Sequence, residues 1–282
     1  MEYKKLFFPI GGGEELRERI QGALLIAKYF NSHLEIFKAL STPSHMMHVS
    51  EAITPIVLEE LNHVSKDMLK EDLEKNLTIV QSEANKIGIQ LSNKAMDDKP
   101  TAELITGEGY RSKLIEQESK YCDLVLVASP HNAKITATFE ATVTKSGKPA
   151  LMFPRKMEKF NTNHILIAWN NSPEVSQALS QAIPLIKQAT KVQIVTSDEF
   201  TNDSKEIEKL QSYLNVHGIK SSHEVIKTTI IPGKELLNYA QKNEVDLIVA
   251  GAFGHKGFKE LMLGGTTEYI LEHTTIPIFM SH

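Results

Sequence analysis

The chain has 282 residues, 41% of them hydrophobic and 23% charged, with a formal net charge of −4. That length suits two domains of ordinary size, and the composition is that of a globular protein rather than a disordered one. The slight negative charge offers no basic footprint for nucleic acid, no stretch approaches the ~20 apolar residues of a membrane span, and the N-terminal apolar run is too short for a signal peptide, so a cytoplasmic protein is expected, with neither nucleic acid nor membrane as a partner.

Short apolar runs alternate with helical patterns along the chain. "LFFPI" (Leu6–Ile10) predicts a strand, Glu14–Phe30 a helix with apolar residues at Leu16, Ile20, Ala23, Leu24 and Ala27, and "HLEIFKAL" a second strand. A long amphipathic stretch follows from about Ser50 to Lys86; it predicts a long second helix or a lid over a pocket. "IGIQLSNKAM" is the third strand candidate, and "RSKLIEQESK" ends a helix. "CDLVLVAS" has the continuous apolar character of a strand buried on both faces, and "KPALMF" closes the set. Cys122, the single cysteine, opens that buried strand and is expected to be a structural thiol.

The second half repeats this order: "HILIAW", a helix from Pro173, "KVQIVTS", a helix closed by Gly218, "KSSHEVI", a helix in "GKELLNYAQKNE", then "DLIVAG" and "IPIFM". "DLVLVAS" (Asp123–Ser129) can be laid on "DLIVAGA" (Asp246–Ala252), and "KPALMF" on "IPIFM" at the proline. The predicted fold is α/β: two tandem five-stranded parallel-sheet sandwiches of Rossmann-like kind, at 1–153 and 164–282, joined by the polar segment 154–163. Ligands of such sheets sit beyond the carboxyl ends of the strands.

"GAFGHKGFKELMLGGTTEYI" leaves the fourth strand of the second half with glycines at 251, 254, 264 and 265, ahead of a helical "TTEYILEH". Glycines beside a helix N-terminus let backbone N–H groups approach an anion; a plain strand-to-helix turn would also use them. His255 and Lys256 add positive charge there. The spacing is neither the P-loop nor the dinucleotide fingerprint.

Gly251-x2-Gly254-x9-Gly264, with "ILIAWNNS" at the first strand and "PGKELLNYAQKNEVDLIVAGAFG" further on, resembles the universal stress protein family, over nearly all of 164–282 and, by element order alone, over 1–153. The resemblance implies ATP or another adenine nucleotide, with or without Mg2+, lying across the strand tips. By position it assigns the adenine side to Ala168, Trp169, Asn170, Val195 and Thr196, and the phosphate side to Ala250, Gly251, Gly254, His255, Lys256, Gly264, Gly265 and Thr266. It also implies a pseudo-dimer within one chain through the last strands, a homodimer being open, and a nucleotide-dependent stress-response regulator with an unknown protein partner. Two residues depart from the family pattern: Asn170 replaces an acid and Gly265 a Ser/Thr.

Seven residues separate Ala128 from Thr136 and thirteen separate Ala250 from Gly264, so the first half counts six fewer in this loop and lacks its glycines. A single nucleotide site is therefore expected, in the second half. "GGG" (Gly11–Gly13) reads as a strand-helix turn. His45 and His48, with His63, have a metal-ligand spacing but lack companion ligands. No nucleophile or acid–base constellation is evident, so at most slow ATP hydrolysis is expected. A nucleotide-hydrolysing or nucleotidyl-transferring enzyme and a nucleotide-free scaffold remain the alternatives.

Overall fold

The computed structural model describes residues 3–42, 55–131, 135–198, 204–227, 232–252 and 265–281. The first half contains β1 (Lys5–Ile10), α1 (Leu16–Phe30), β2 (His33–Leu40), α2 (Pro55–Ile87), β3 (Gln90–Leu91), β4 (Thr101–Glu108), α3 (Arg111–Glu118), β5 (Leu124–Ala128), α4 (Ala137–Thr144) and β6 (Ala150–Phe153). The second contains β7 (His164–Ala168), α5 (Pro173–Ile186), β8 (Lys191–Ser197), α6 (Ser204–Val216), β9 (Ser222–Ile226), α7 (Pro232–Lys242), β10 (Leu247–Gly251), α8 (Gly265–His273) and β11 (Ile278–Ser281).

The eleven strands among the described residues form one sheet in the order β3-β4-β2-β1-β5-β6-β11-β10-β7-β8-β9. Each half therefore has the same internal order, with its first strand beside its fourth: β4-β2-β1-β5-β6 and β9-β8-β7-β10-β11. Pairs within a half are parallel; the halves meet at an antiparallel pair, β6 with β11, in the register Ala150↔Met280, Leu151↔Phe279 and Met152↔Ile278. The strand carboxyl ends of the two halves consequently point in opposite directions.

The burial follows from the apolar runs. One core layer holds Leu6, Phe8, Ile20, Leu24, Leu126 and Phe153 together with Ile165, Ile167, Leu179 and Phe279, so it passes from one half to the other without a break. Tyr3 fastens this layer: its ring tilts against Phe279, and its hydroxyl donates to the Gln181 carbonyl at 2.6 Å. Burial pushes the Tyr3 phenol well above its ordinary range. The opposite face is covered by α4, α7 and α8, whose Phe139, Leu237 and Leu271 pack with Val127, Met152, Leu166 and Ile248.

The repeat extends to single hydrogen bonds. Asp123 Oδ2 accepts from the Lys5 N–H, and Asp246 Oδ2 accepts from the His164 N–H, both at 2.9 Å. Val125 N–H donates to the Pro149 carbonyl and Ile248 N–H to the Pro277 carbonyl, each at 3.0 Å. These bonds equate Asp123 with Asp246, hence Ala128 with Gly251. Counted from that pair, seven residues precede Thr136 and twelve precede Gly264, so the first-half loop is five residues shorter rather than six.

Two element assignments change. Within Ile87–Met96 only Gln90–Leu91 is strand, and the third strand of the first half is β4, whose TAELITGE shows too few apolar residues to stand out. The amphipathic stretch is a single helix over its described part, about 50 Å long at 1.5 Å per residue. Its C-terminal part buries Val80 and Ala84 against α1, while Leu61, Val64 and Met68 are exposed. Gly218 has φ +76° and ends α6 as expected, with Ile219 N–H reaching back to the Leu214 carbonyl. Cys122 is buried, its Sγ donating to the Ser119 carbonyl, and burial pushes its thiol up to about 12.

Candidate functional site

In the second half the site lies where β7 and β10 run side by side. Ser172 caps α5 by accepting from the Val175 N–H at 3.2 Å, and Pro173 starts the helix, as its missing N–H allows. The carboxyl end of β10 presses on this first turn. A β-carbon on Gly251 would stand 2.7 Å from the Val175 backbone nitrogen and 3.1 Å from Glu174. Glycine at 251 is therefore a packing requirement, which accounts for the first glycine of the loop independently of any ligand.

Strand alternation sorts the other residues singled out from the sequence. Ala168, Val195 and Ala250 lie on one face, in the cluster containing Leu237 and Ile248, and form a small-sided apolar floor at the strand tips. Trp169 packs on the opposite face, against the core layer of Ile165 and Ile167, and its Nε1 is buried without a hydrogen-bond partner. Thr196 is buried with its hydroxyl 2.9 Å from His223 Nε2. Burial holds the His223 imidazole below its usual range, with Glu224 opposing the shift. Trp169 and Thr196 thus offer their backbones, not their side chains, to the face of Ala168. The Trp169 N–H is already bonded to the Val195 carbonyl at 2.9 Å.

Asn170 is exposed, and its Oδ1 accepts from the Ser172 N–H at 3.2 Å, closing a turn. The next residue, Asn171, takes φ +56° and donates its amide to both Glu206 carboxylate oxygens. This turn presents an amide where a carboxylate would suit a metal ion. Gly265 and Thr266 begin α8. Gly254, His255, Lys256 and Gly264 lie outside the described residues.

Equivalent positions in the first half differ in bulk. The shared register places Pro9, Phe37 and Val127 where the second half has Ala168, Val195 and Ala250. The Phe37 ring is 2% exposed, stands 5.5 Å from the Phe7 ring, and lies so close to Gly107 that a β-carbon there would be 3.0 Å away. The first-half floor is therefore filled with aromatic carbon. Thr136 caps α4, accepting from the Phe139 N–H at 3.2 Å.

Three arginines gather at the first-half strand tips, and sequence reasoning missed them. Arg19, Arg111 and Arg155 line a cavity of about 460 Å3 together with Gly11–Gly13. They come from α1, the first position of α3 and the segment after β6, so only the topology unites them. The glycine run was the one visible sign.

Metal ligation finds little support among the described residues. His63 stands exposed, 3.8 Å from Asp67, and His45 and His48 lie outside the described residues. The one carboxylate–histidine trio close enough to share an ion is His33, Glu35 and Glu103. There Glu35 is already paired with Lys5 Nζ at 2.5 Å, and His33 Nδ1 is bonded to Thr101 at 2.8 Å.

A mostly parallel sheet, with the first and fourth strands of each half adjacent and helix N-termini at their tips, defines an α/β protein of the Rossmann-like kind. Residues 161–282 carry a domain of the Universal stress protein family. Curated relatives agree: universal stress protein Slr1230 of Synechocystis sp. is 25% identical over 50% of this chain and 50% of its own length, and universal stress protein YxiE of Bacillus subtilis is 26% identical over 42% of this chain and 97% of its own. The chain thus spans about half the length of the Synechocystis relative. In fold, it is similar to a universal stress protein from Archaeoglobus fulgidus, with a TM-score of 0.71 at 16% identity, covering 99% of this chain and 98% of that one. No helix among the described residues is long and apolar enough to cross a membrane.

Proposed function

We propose that the second half binds ATP or another adenine nucleotide, and that the chain is a cytoplasmic, nucleotide-dependent stress-response regulator built from two domains of the same family. The observation that carries this reading is the glycine-spaced segment leaving β10 within a domain of that family, at strand tips floored by the small apolar side chains of Ala168, Val195 and Ala250. In this arrangement the floor takes the base. Gly254, Gly264, Gly265 and Thr266, with His255 and Lys256, take the phosphates, aided by the N-terminal end of α8. Asn170 supplies no carboxylate for Mg2+, and no general base stands at the strand tips among the described residues, so we expect the site to hold nucleotide with at most slow hydrolysis.

The test is mass analysis of nucleotide released when the purified full chain is denatured, followed by calorimetry on nucleotide-free protein. One adenine nucleotide per chain is expected, lost in Gly264→Val. Absence of released nucleotide together with no calorimetric binding overturns the proposal in favour of a scaffold; turnover of many ATP per minute overturns it in favour of an enzyme.

A further inference from the structure

The first-half cavity is charged in a way its surroundings leave unbalanced. Its lining holds three arginines and one carboxylate, Glu14. Arg155 is committed: Nε pairs with Glu15 at 2.5 Å, Nη2 donates to the Glu14 carbonyl at 2.7 Å, and Nη1 to the Ser129 carbonyl at 3.2 Å. Glu15 is shared further with Lys156 at 3.1 Å, and these two cations hold its carboxyl below the usual range. Glu14 projects outward, highly exposed, 3.8 Å from His131.

Arg19 and Arg111 are different. Arg19 makes only long bonds to carbonyls, 3.3 Å to Glu15 and 3.4 Å to Gly12, although it is half-buried and desolvation draws its guanidinium below the ordinary value. Arg111 Nε is buried with no hydrogen-bond partner, and its guanidinium lies over Gly11, where a β-carbon would come within 3.1 Å of Nη1. Among the described residues neither arginine has a carboxylate within ion-pair distance. Glu15 and Glu18 favour the charge of Arg19 only from a distance, and Arg155 opposes it. A partly desolvated guanidinium without a direct ion pair is costly, and its fork of donors matches a tetrahedral oxyanion.

The backbone adds to this. Gly12 and Gly13 face open space, and Gly13 has φ +97°, a conformation glycine tolerates. The turn leads into α1, which lacks a side-chain cap, as does α3, so their first N–H groups are open to a ligand. A second cavity, of about 410 Å3, shares Gly12, Arg111 and Thr138 with the first and continues past Ala39, Leu69 and Tyr110. Its one buried cation, Lys38, is neutralised by Asp72 of α2. Beneath the cleft, Phe37 fills the level where the other half keeps Val195.

We propose that this cavity is an anion site for a compact phosphate dianion, either free or as the phosphomonoester of a small molecule, gripped by Arg19 and Arg111 over the Gly11–Gly13 turn. It is chemically distinct from the nucleotide site of the second half: it uses arginines where the other uses a glycine loop, and it has no open floor for a purine. It does not depend on that other site being correct.

The experiment is calorimetric titration of the full chain with inorganic phosphate, at constant ionic strength set by chloride. Saturable binding is expected, weakened at least tenfold in Arg111→Gln and in Arg19→Gln. Near-UV circular dichroism of each variant reports folding, and because the two arginines sit on different helices, failure of one variant to fold leaves the other informative. Titration with glycerol 2-phosphate separates the sources: tighter binding of the ester puts its carbon body in the adjoining cavity, and tighter binding of the inorganic ion assigns the free dianion. No saturable phosphate binding, or unchanged affinity in both arginine variants, overturns the proposal. So does ATP binding that is lost in Arg111→Gln and kept in Gly264→Val.

Discussion

The two halves share a backbone plan down to individual aspartate caps, yet they differ at the strand tips. Where the second half has Ala168, Val195, Ala250 and Gly251, the first has Pro9, Phe37, Val127 and Ala128. A hydrogen-bonded pair, His164 with Gln193, occupies the positions of the ion pair Lys5 with Glu35. Arginines crowd the tips of the first half, whereas glycines leave those of the second. The two halves share what the sheet needs and differ in what the tips carry. The strand tips, where we propose that ligands bind, are thus where the two halves differ most.

That contrast can be broken at graded cost. The largest effect is expected at the filled floor: Phe37→Ala removes a ring that is 2% exposed and should cost about 3–5 kcal/mol, read as a lowered denaturant midpoint with unchanged m-value. A cost near zero would mean that the ring does not fill the first-half floor. Next is the glycine seat. Gly251→Ala forces a β-carbon onto the start of α5 and should cost about 1–3 kcal/mol, whereas the equivalent position in the first half already carries an alanine, Ala128. If Gly251→Ala is neutral in thermal melts, the two tips pack alike and the difference drawn between them fails.

The smallest effect concerns protons. His223 has a depressed pKa in the folded chain, so the folded state binds fewer protons than the unfolded one. Its contribution is present above the unfolded value of about 6.5 and is lost as pH falls through the lower folded value. Denaturant midpoints should therefore decline as pH falls below about 6.5, and His223→Gln should flatten part of that decline. An identical slope in the variant would remove His223 from the account.

Much of this was legible in the chain. β2 and β8 coincide with their apolar runs from first residue to last, because both runs are mostly buried along their length. β4 was not legible: Leu104 and Ile105 are the only bulky apolar residues in TAELITGE, and pairing with all eight residues of β2, not hydrophobicity, makes it a strand. In the second half, the glycine spacing singled out the carboxyl end of β10 directly, since spacing is local. Arg19, Arg111 and Arg155 carry no such signal, being separated by whole helices and strands and brought together only by the order of the sheet.

The antiparallel seam between β6 and β11 has one more consequence. A parallel-stranded unit with an open last strand is sticky: its free amide and carbonyl row invites a second copy. Here each half satisfies the other's demand inside a single polypeptide, so that valence is spent. The rows left at the rim belong to the two-residue β3 and to β9, whose side chains are mostly exposed and include Glu224. Any larger assembly that grows by strand addition must grow from those rims, so the seam also sets a polarity, with new neighbours joining at the far ends and never at the middle.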